Sequence, residues 1–169
     1  MRKRLNRLLK IYLDTCCYGR PWDGQASASI IAEANAIETI IDWRHINGYM
    51  IIGSSVLDVE ILKNPNVKDR DAIMDFYRDA RDDYAYLTAT DRARAQSFQA
   101  AGLKVNDSYH LAVAEAVGVD VLLTVDKPFL QTVNRRNMCG VTVMNPLNFV
   151  STYNAGGGYG DYDGNQESD

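Results

Sequence analysis

Histidine is nearly missing from this chain of 169 residues, occurring only at positions 45 and 110. Cysteine occurs three times, at 16, 17 and 139, and two of the three are adjacent. A structural zinc site takes four nitrogen or sulfur ligands at recognisable spacing, and these five residues do not fall at such a spacing. An odd, partly adjacent set of thiols is also a poor disulfide framework and fits a reducing compartment. No His lies at a spacing that would activate Cys16 or Cys17 as a nucleophile, so the thiols read as small buried hydrophobes. No run approaches the roughly 18 apolar residues of a membrane span, and the opening "MRKRLNRLLK" lacks the apolar stretch of a signal peptide. The expected setting is the cytoplasm, with no membrane partner.

Net positive charge is missing as well. The formal charge is −4, unevenly spread. Arg2, Lys3, Arg4, Arg7 and Lys10 make the start basic, Asp161, Asp163, Glu167 and Asp169 make the end acidic, and the stretch between them stays net negative. A nucleic acid would be repelled there unless basic side chains cluster or a cation intervenes.

What is present is a regular alternation of elements. Short, continuously apolar segments at 10–13, 48–55, 84–88, 120–126 and 140–145 read as strands, and helical periodicity runs through 26–46, 56–64, 69–82, 90–102 and 106–118. Thr90 and Asn106 are the expected caps of the last two helices, with Gly102 and Gly118 as their stops. Apolar strands alternating with helices predict a mostly parallel sheet of about five strands covered on both faces, a three-layer α/β/α domain. The expected boundaries are a basic leader at 1–9, the domain at 10–150, and a flexible Gly/Asp/Tyr-rich tail at 151–169 whose composition cannot bury enough surface to order itself.

Among 22 acidic residues, position relative to the sheet decides which matter. Ligands of open α/β sheets bind beyond the carboxyl ends of the strands. Asp14 ends the first strand and Asp126 the fourth. Glu60 falls in the helix after the second strand, and Asp107 opens the helix that leads into the fourth. Carboxylates gathered at one edge repel each other. A hard divalent cation, Mg²⁺ or Mn²⁺, removes that conflict and brings the chemistry of phosphodiester hydrolysis with it.

The segments "YLDT", "SSVLDVEI" and "VNDSYHLAVAEAVGVDVLLTVD" resemble, in order, the motifs of PIN-domain nucleases of the VapC-like toxin type, over roughly residues 10 to 150. The resemblance implies a metal-dependent endoribonuclease whose acidic quartet is Asp14, Glu60, Asp107 and Asp126. Thr15, Thr124 and His110 are its supporting residues, and the expected products carry 5′-phosphate and 3′-hydroxyl ends. It further implies an RNA substrate, a homodimer and a cognate antitoxin partner. Many members of that family place Asn two residues after the first Asp; here the position is Cys16.

Each residue also has a plainer role open to it. Asp14 is a good turn former, Asp126 a good N-cap, and Asp107 a favourable charge at a helix start. Asp58 competes with Glu60, since residues two apart do not share a helix face. His110 fits packing beside the site better than contact with substrate. For Trp22, packing is favoured over stacking on a base. Arg20, Arg78, Arg81, Arg92 and Arg94 are candidates for RNA backbone contacts. A non-toxin nuclease of RNA processing and a non-catalytic nucleic-acid-binding module on the same fold remain alternatives. An aspartyl-phosphate phosphatase does not, because it needs a second Asp where Cys16 stands.

Overall fold

The structure, a computed structural model, describes residues 7–155. Its core is a sheet of five parallel strands in the order β3-β2-β1-β4-β5. The strands are β1 (Leu9–Leu13), β2 (Tyr49–Ser54), β3 (Asp83–Ala85), β4 (Val121–Leu123) and β5 (Thr142–Met144). In β1, Ile11, Tyr12 and Leu13 are all fully buried. Successive side chains of a strand point to opposite faces, so both faces of the sheet are covered, as the continuous apolar runs require. The coverage comes from eight helices: α1 (Thr15–Gly19), α2 (Ala28–Trp43), α3 (Ser55–Leu62), α4 (Val67–Ala80), α5 (Ala89–Ala100), α6 (Val105–Ala116), α7 (Lys127–Arg136) and α8 (Pro146–Ala155). No described helix is long and apolar enough to cross a membrane.

The expected fold class holds, and the differences are local. Thr88, not Thr90, caps α5, in a reciprocal pair with Asp91. Asn106 lies inside α6, whose cap position is Lys104 without a side-chain hydrogen bond. The stops are as expected, with Gly102 at φ +111° and Gly118 at φ +70°, a backbone region where a Cβ is strained. Residues 15–19, for which the sequence suggested no element, form the short helix α1, capped by the Asp14 carboxylate. Residues 151–155, assigned to the tail, complete α8, which packs against α2. The remaining tail and the first six residues of the leader lie outside the described residues. Trp22 rests on Phe76, with ring centroids 5.5 Å apart.

Gly53 in β2 is required by close approach. A Cβ there would lie 2.7 Å from the Tyr77 hydroxyl, which accepts from the Ser54 amide (3.0 Å) and donates to the Ser54 carbonyl (3.1 Å). The ring cannot swing away without losing both bonds. Gly53→Ala is therefore expected to lower stability by about 1–3 kcal/mol through overpacking. Urea unfolding should show an earlier midpoint at unchanged slope, and an unmoved midpoint would refute the steric account.

Candidate active site

Strand order places the topological switch between β1 and β4, because the chain moves outward from β1 through β2 to β3, then returns to β4 on the other side. Asp14 follows β1 directly, and Thr124 follows β4 directly. Their side chains meet: Thr124 Oγ1 donates to Asp14 Oδ2 at 2.6 Å and accepts from the Asp126 amide at 3.0 Å. Asp14 Oδ1 accepts from the Cys16 amide at 3.0 Å and the Cys17 amide at 3.4 Å. It also accepts from the Cys16 thiol. Asp14 is thus a helix cap, where a turn former was the plainer expectation, and also a carboxylate held rigidly at the carboxyl edge of the sheet. Oδ2 keeps a lone pair beyond its bond to Thr124.

Asp126 caps α7 through Oδ1, which accepts from the Phe129 amide at 3.0 Å, leaving Oδ2 outside the cap. Asp107 stands in the first turn of α6 and makes no hydrogen bond or ion pair with the described residues. Burial, the charge on Asp126 and the charge on Asp14, in that order, push its carboxyl up to about 6. Burial also raises Asp14, against the lowering influence of His110. These are carboxylates crowded together without enough positive charge to balance them.

Glu60 joins the edge through a buried polar chain. Its Oε2 accepts from Thr15 Oγ1 at 2.9 Å and is hydrogen bonded to His110 Nε2. His110 Nδ1 lies 2.7 Å from the Tyr12 hydroxyl, and that hydroxyl lies 2.7 Å from Ser54 Oγ. An ionised Glu60 can only accept, so Nε2–H donates to it; in the neutral ring Nδ1 then accepts from the Tyr12 hydroxyl, and Tyr12 accepts from Ser54. The bond from His110 holds the Glu60 carboxyl below its ordinary value despite partial burial. Asp58, the competitor of Glu60, turns away to the Tyr84 hydroxyl and to Arg81 at 3.6 Å.

Sequence reasoning overlooked Tyr12 and the hydrogen-bonding part played by Cys16. Tyr12 passed as strand core. Its signal was a hydroxyl-bearing side chain in a strand otherwise able to be wholly aliphatic. Cys16 supplies a donor where the related motif carries Asn. Its thiol reaches Asp14 and lies 3.5 Å from Thr124 Oγ1, so the polar contact persists through sulfur.

Among the described residues, the one group of three ligand-type side chains whose atoms lie within 4.8 Å of each other is Asp14, Cys16 and Cys17. Both thiols are raised above their ordinary range, with burial the chief cause for Cys17, and both act as hydrogen-bond donors, Cys17 to the Leu123 carbonyl at 3.4 Å. They serve the carboxylate as neutral donors. The oxygen donors of Asp14, Asp107 and Asp126 fit a hard divalent cation better, and their wider spacing suits an ion that keeps part of its water shell.

The raised Asp107 value has a consequence for stability. A carboxyl whose folded value lies above its unfolded value of about 3.9 holds its proton more tightly when folded. Its contribution to stability therefore falls as pH rises from about 4 to about 6. In chelator, the melting temperature of the wild type relative to Asp107→Asn is expected to fall across that window. A constant difference between the two would refute the crowding.

No protein-family model matches the chain, and no curated protein sequence matches it. Among solved structures, the chain is similar to the crystal structure of Mycobacterium tuberculosis VapC20, described as a sarcin-ricin loop cleaving toxin. The match has 11% sequence identity and a TM-score of 0.53, and covers 78% of this chain and 98% of that one. At that identity the likeness speaks for the backbone: the chain has a PIN-like three-layer α/β fold.

Proposed function

We propose that the chain is a divalent-cation-dependent endoribonuclease and the toxin of a toxin-antitoxin pair. The observation that carries this reading is the gathering of Asp14, Asp107 and Asp126 at the switch point of a parallel sheet, where burial first, and then the charges of Asp126 and Asp14, lift Asp107 to about 6. Carboxylates that raise the energy of the fold in this way are explained by a bound cation. Asp14, Asp107 and Asp126 would hold Mg²⁺ or Mn²⁺, with Glu60 beside them. When bound, the ion supplies positive charge against a phosphodiester and makes water more acidic.

The chain's own side chains set the geometry. Thr124 and the α1 amides hold Asp14 in one rotamer. Thr15 and His110 load Oε2 of Glu60, so Oε1 is left to accept a hydrogen bond from the attacking water and orient it. Glu60 stays ionised at neutral pH because its value is lowered. Water adds to phosphorus, the bond from phosphorus to the 3′ oxygen breaks, and the leaving oxygen takes a proton, giving 5′-phosphate and 3′-hydroxyl ends.

The likeness to VapC20 supports RNA as substrate and an antitoxin as partner, because that protein is described as a sarcin-ricin loop cleaving toxin. Val59 and Leu62 on α3 are apolar and more than half exposed, which supports burial against a second chain, in a homodimer or an antitoxin complex. The test is cleavage of total RNA with Mg²⁺ or Mn²⁺ against a chelator control, with fragment ends mapped. Cleavage that persists in chelator, or ends carrying 3′-phosphate, would sink the mechanism. Cleavage without growth arrest on expression would favour a non-toxin nuclease of RNA processing. Tight RNA binding without cleavage would favour a non-catalytic module.

A further inference from the structure

Beside Glu60, between α3 and the start of α6, lies a cleft of about 330 Å³. Its walls include Val59, Lys63, Leu87, Arg92, Asn106 and Tyr109. Several surface arginines outside the cleft are occupied by carboxylates. Arg20 is tied to Glu33 and Asp23, Arg81 to Asp58, and Arg94 to Glu115 through two hydrogen bonds. Lys63 and Arg92 are exposed and form no ion pair with the described residues. Arg92 lies over the Tyr109 ring, 5.9 Å from its centre. In a chain with net negative charge, two exposed cations free of ion pairs, next to a cluster of carboxylates, are placed to draw in phosphate. Apolar walls with an aromatic face and an exposed amide suit a base that has left its stack. The volume is at the lower end for ligand pockets, enough for one nucleotide and too small for a duplex.

We propose that this cleft holds one unstacked nucleotide of a single-stranded or looped RNA, next to the phosphodiester presented to the acidic edge. Tyr109 lies against its base, Asn106 meets the base edge, and Lys63 and Arg92 take the flanking phosphates. The proposal rests on the reading of the chain as an RNA-binding hydrolase and adds the element that selects sequence. Discrimination among bases then comes from Asn106, while Lys63 and Arg92 contribute affinity for any sequence.

The experiment is fluorescence anisotropy of a labelled single-stranded RNA of about eight nucleotides on the full chain in chelator, so that binding is read without cleavage. The wild type is expected to prefer single-stranded RNA to a duplex of the same sequence. Tyr109→Leu keeps the apolar packing of this half-buried side chain and removes its aromatic face; it should weaken binding by about 5-fold or more. Arg92→Ala should weaken binding across all sequences and make it less sensitive to salt. Asn106→Ala should alter the preference among oligo-A, oligo-U and oligo-C. Arg136→Ala, exposed in the last turn of α7 and outside the cleft, should change nothing. Wild-type affinity in both Tyr109→Leu and Arg92→Ala, with folding verified by melting, assigns the cleft to something other than RNA and overturns the proposal. A wild type that binds no single-stranded RNA overturns it too. A chain that binds with these sensitivities but never cleaves keeps the nucleotide site and loses the hydrolase.

Discussion

Asp14→Asn and Asp107→Asn are each expected to lower cation-dependent RNA cleavage by more than about 100-fold, while the cation-free protein melts no lower than the wild type and Asp107→Asn melts higher at neutral pH. The size follows from what groups one step removed from a metal contribute, about 10- to 100-fold, which a direct ligand should exceed. The stability half is the sharper test. Asp107 has no described partner and is lifted by burial, Asp126 and Asp14, so a neutral amide relieves repulsion. Asp14 is raised by burial as well, and an asparagine oxygen still accepts the α1 amides. A structural carboxylate behaves the other way, because its removal breaks bonds without relieving charge. Loss of cleavage together with a large drop in melting temperature would count against catalysis, and wild-type cleavage in either variant would end the assignment.

The second large effect is expected at His110, which is 2% exposed and bonds on both sides. His110→Ala should cost about 2–4 kcal/mol, combining a cavity with a Tyr12 hydroxyl that loses its acceptor. Cleavage should fall by about 10- to 100-fold as well, because Glu60 loses the contact that fixes Oε2. His110→Phe separates the two effects: it refills the space, so stability should return in part while the activity defect stays. Wild-type stability in His110→Ala would mean that the chain from Ser54 to Glu60 carries no load. Full activity in His110→Phe would mean that Glu60 needs no positioning.

How much of this was legible beforehand depends on range. The stops at Gly102 and Gly118 and the runs of buried strand residues are local signals, and they appeared where expected. The caps at Thr90 and Asn106 did not: Thr88 satisfies the same local rule and takes the cap of α5, while α6 starts after Lys104 with no side-chain cap at all. The choice between Asp58 and Glu60 was posed by sequence and decided by neighbours, with Tyr84 and Arg81 on one side and Thr15 and His110 on the other. Of the candidate RNA-binding arginines, Arg20, Arg81 and Arg94 are occupied by internal carboxylates, and Arg92 gains interest only from lying over Tyr109 beside Glu60.

The sequence by itself determined the class of fold and which acidic residues fall at strand ends, because periodicity and the order of elements are properties of the chain alone. Only the tertiary structure decided what those residues do to one another. Asp107 is pushed up to about 6 by burial and then by Asp126 and Asp14, surroundings that the chain acquires only by folding. Likewise Tyr12, Ser54, Thr15, Glu60 and His110 form one hydrogen-bonded chain across β1, β2, α1, α3 and α6. Charge repulsion and hydrogen bonding act over a few ångströms of space and are blind to separation along the chain, so spacing can nominate such groups and only the fold can join them.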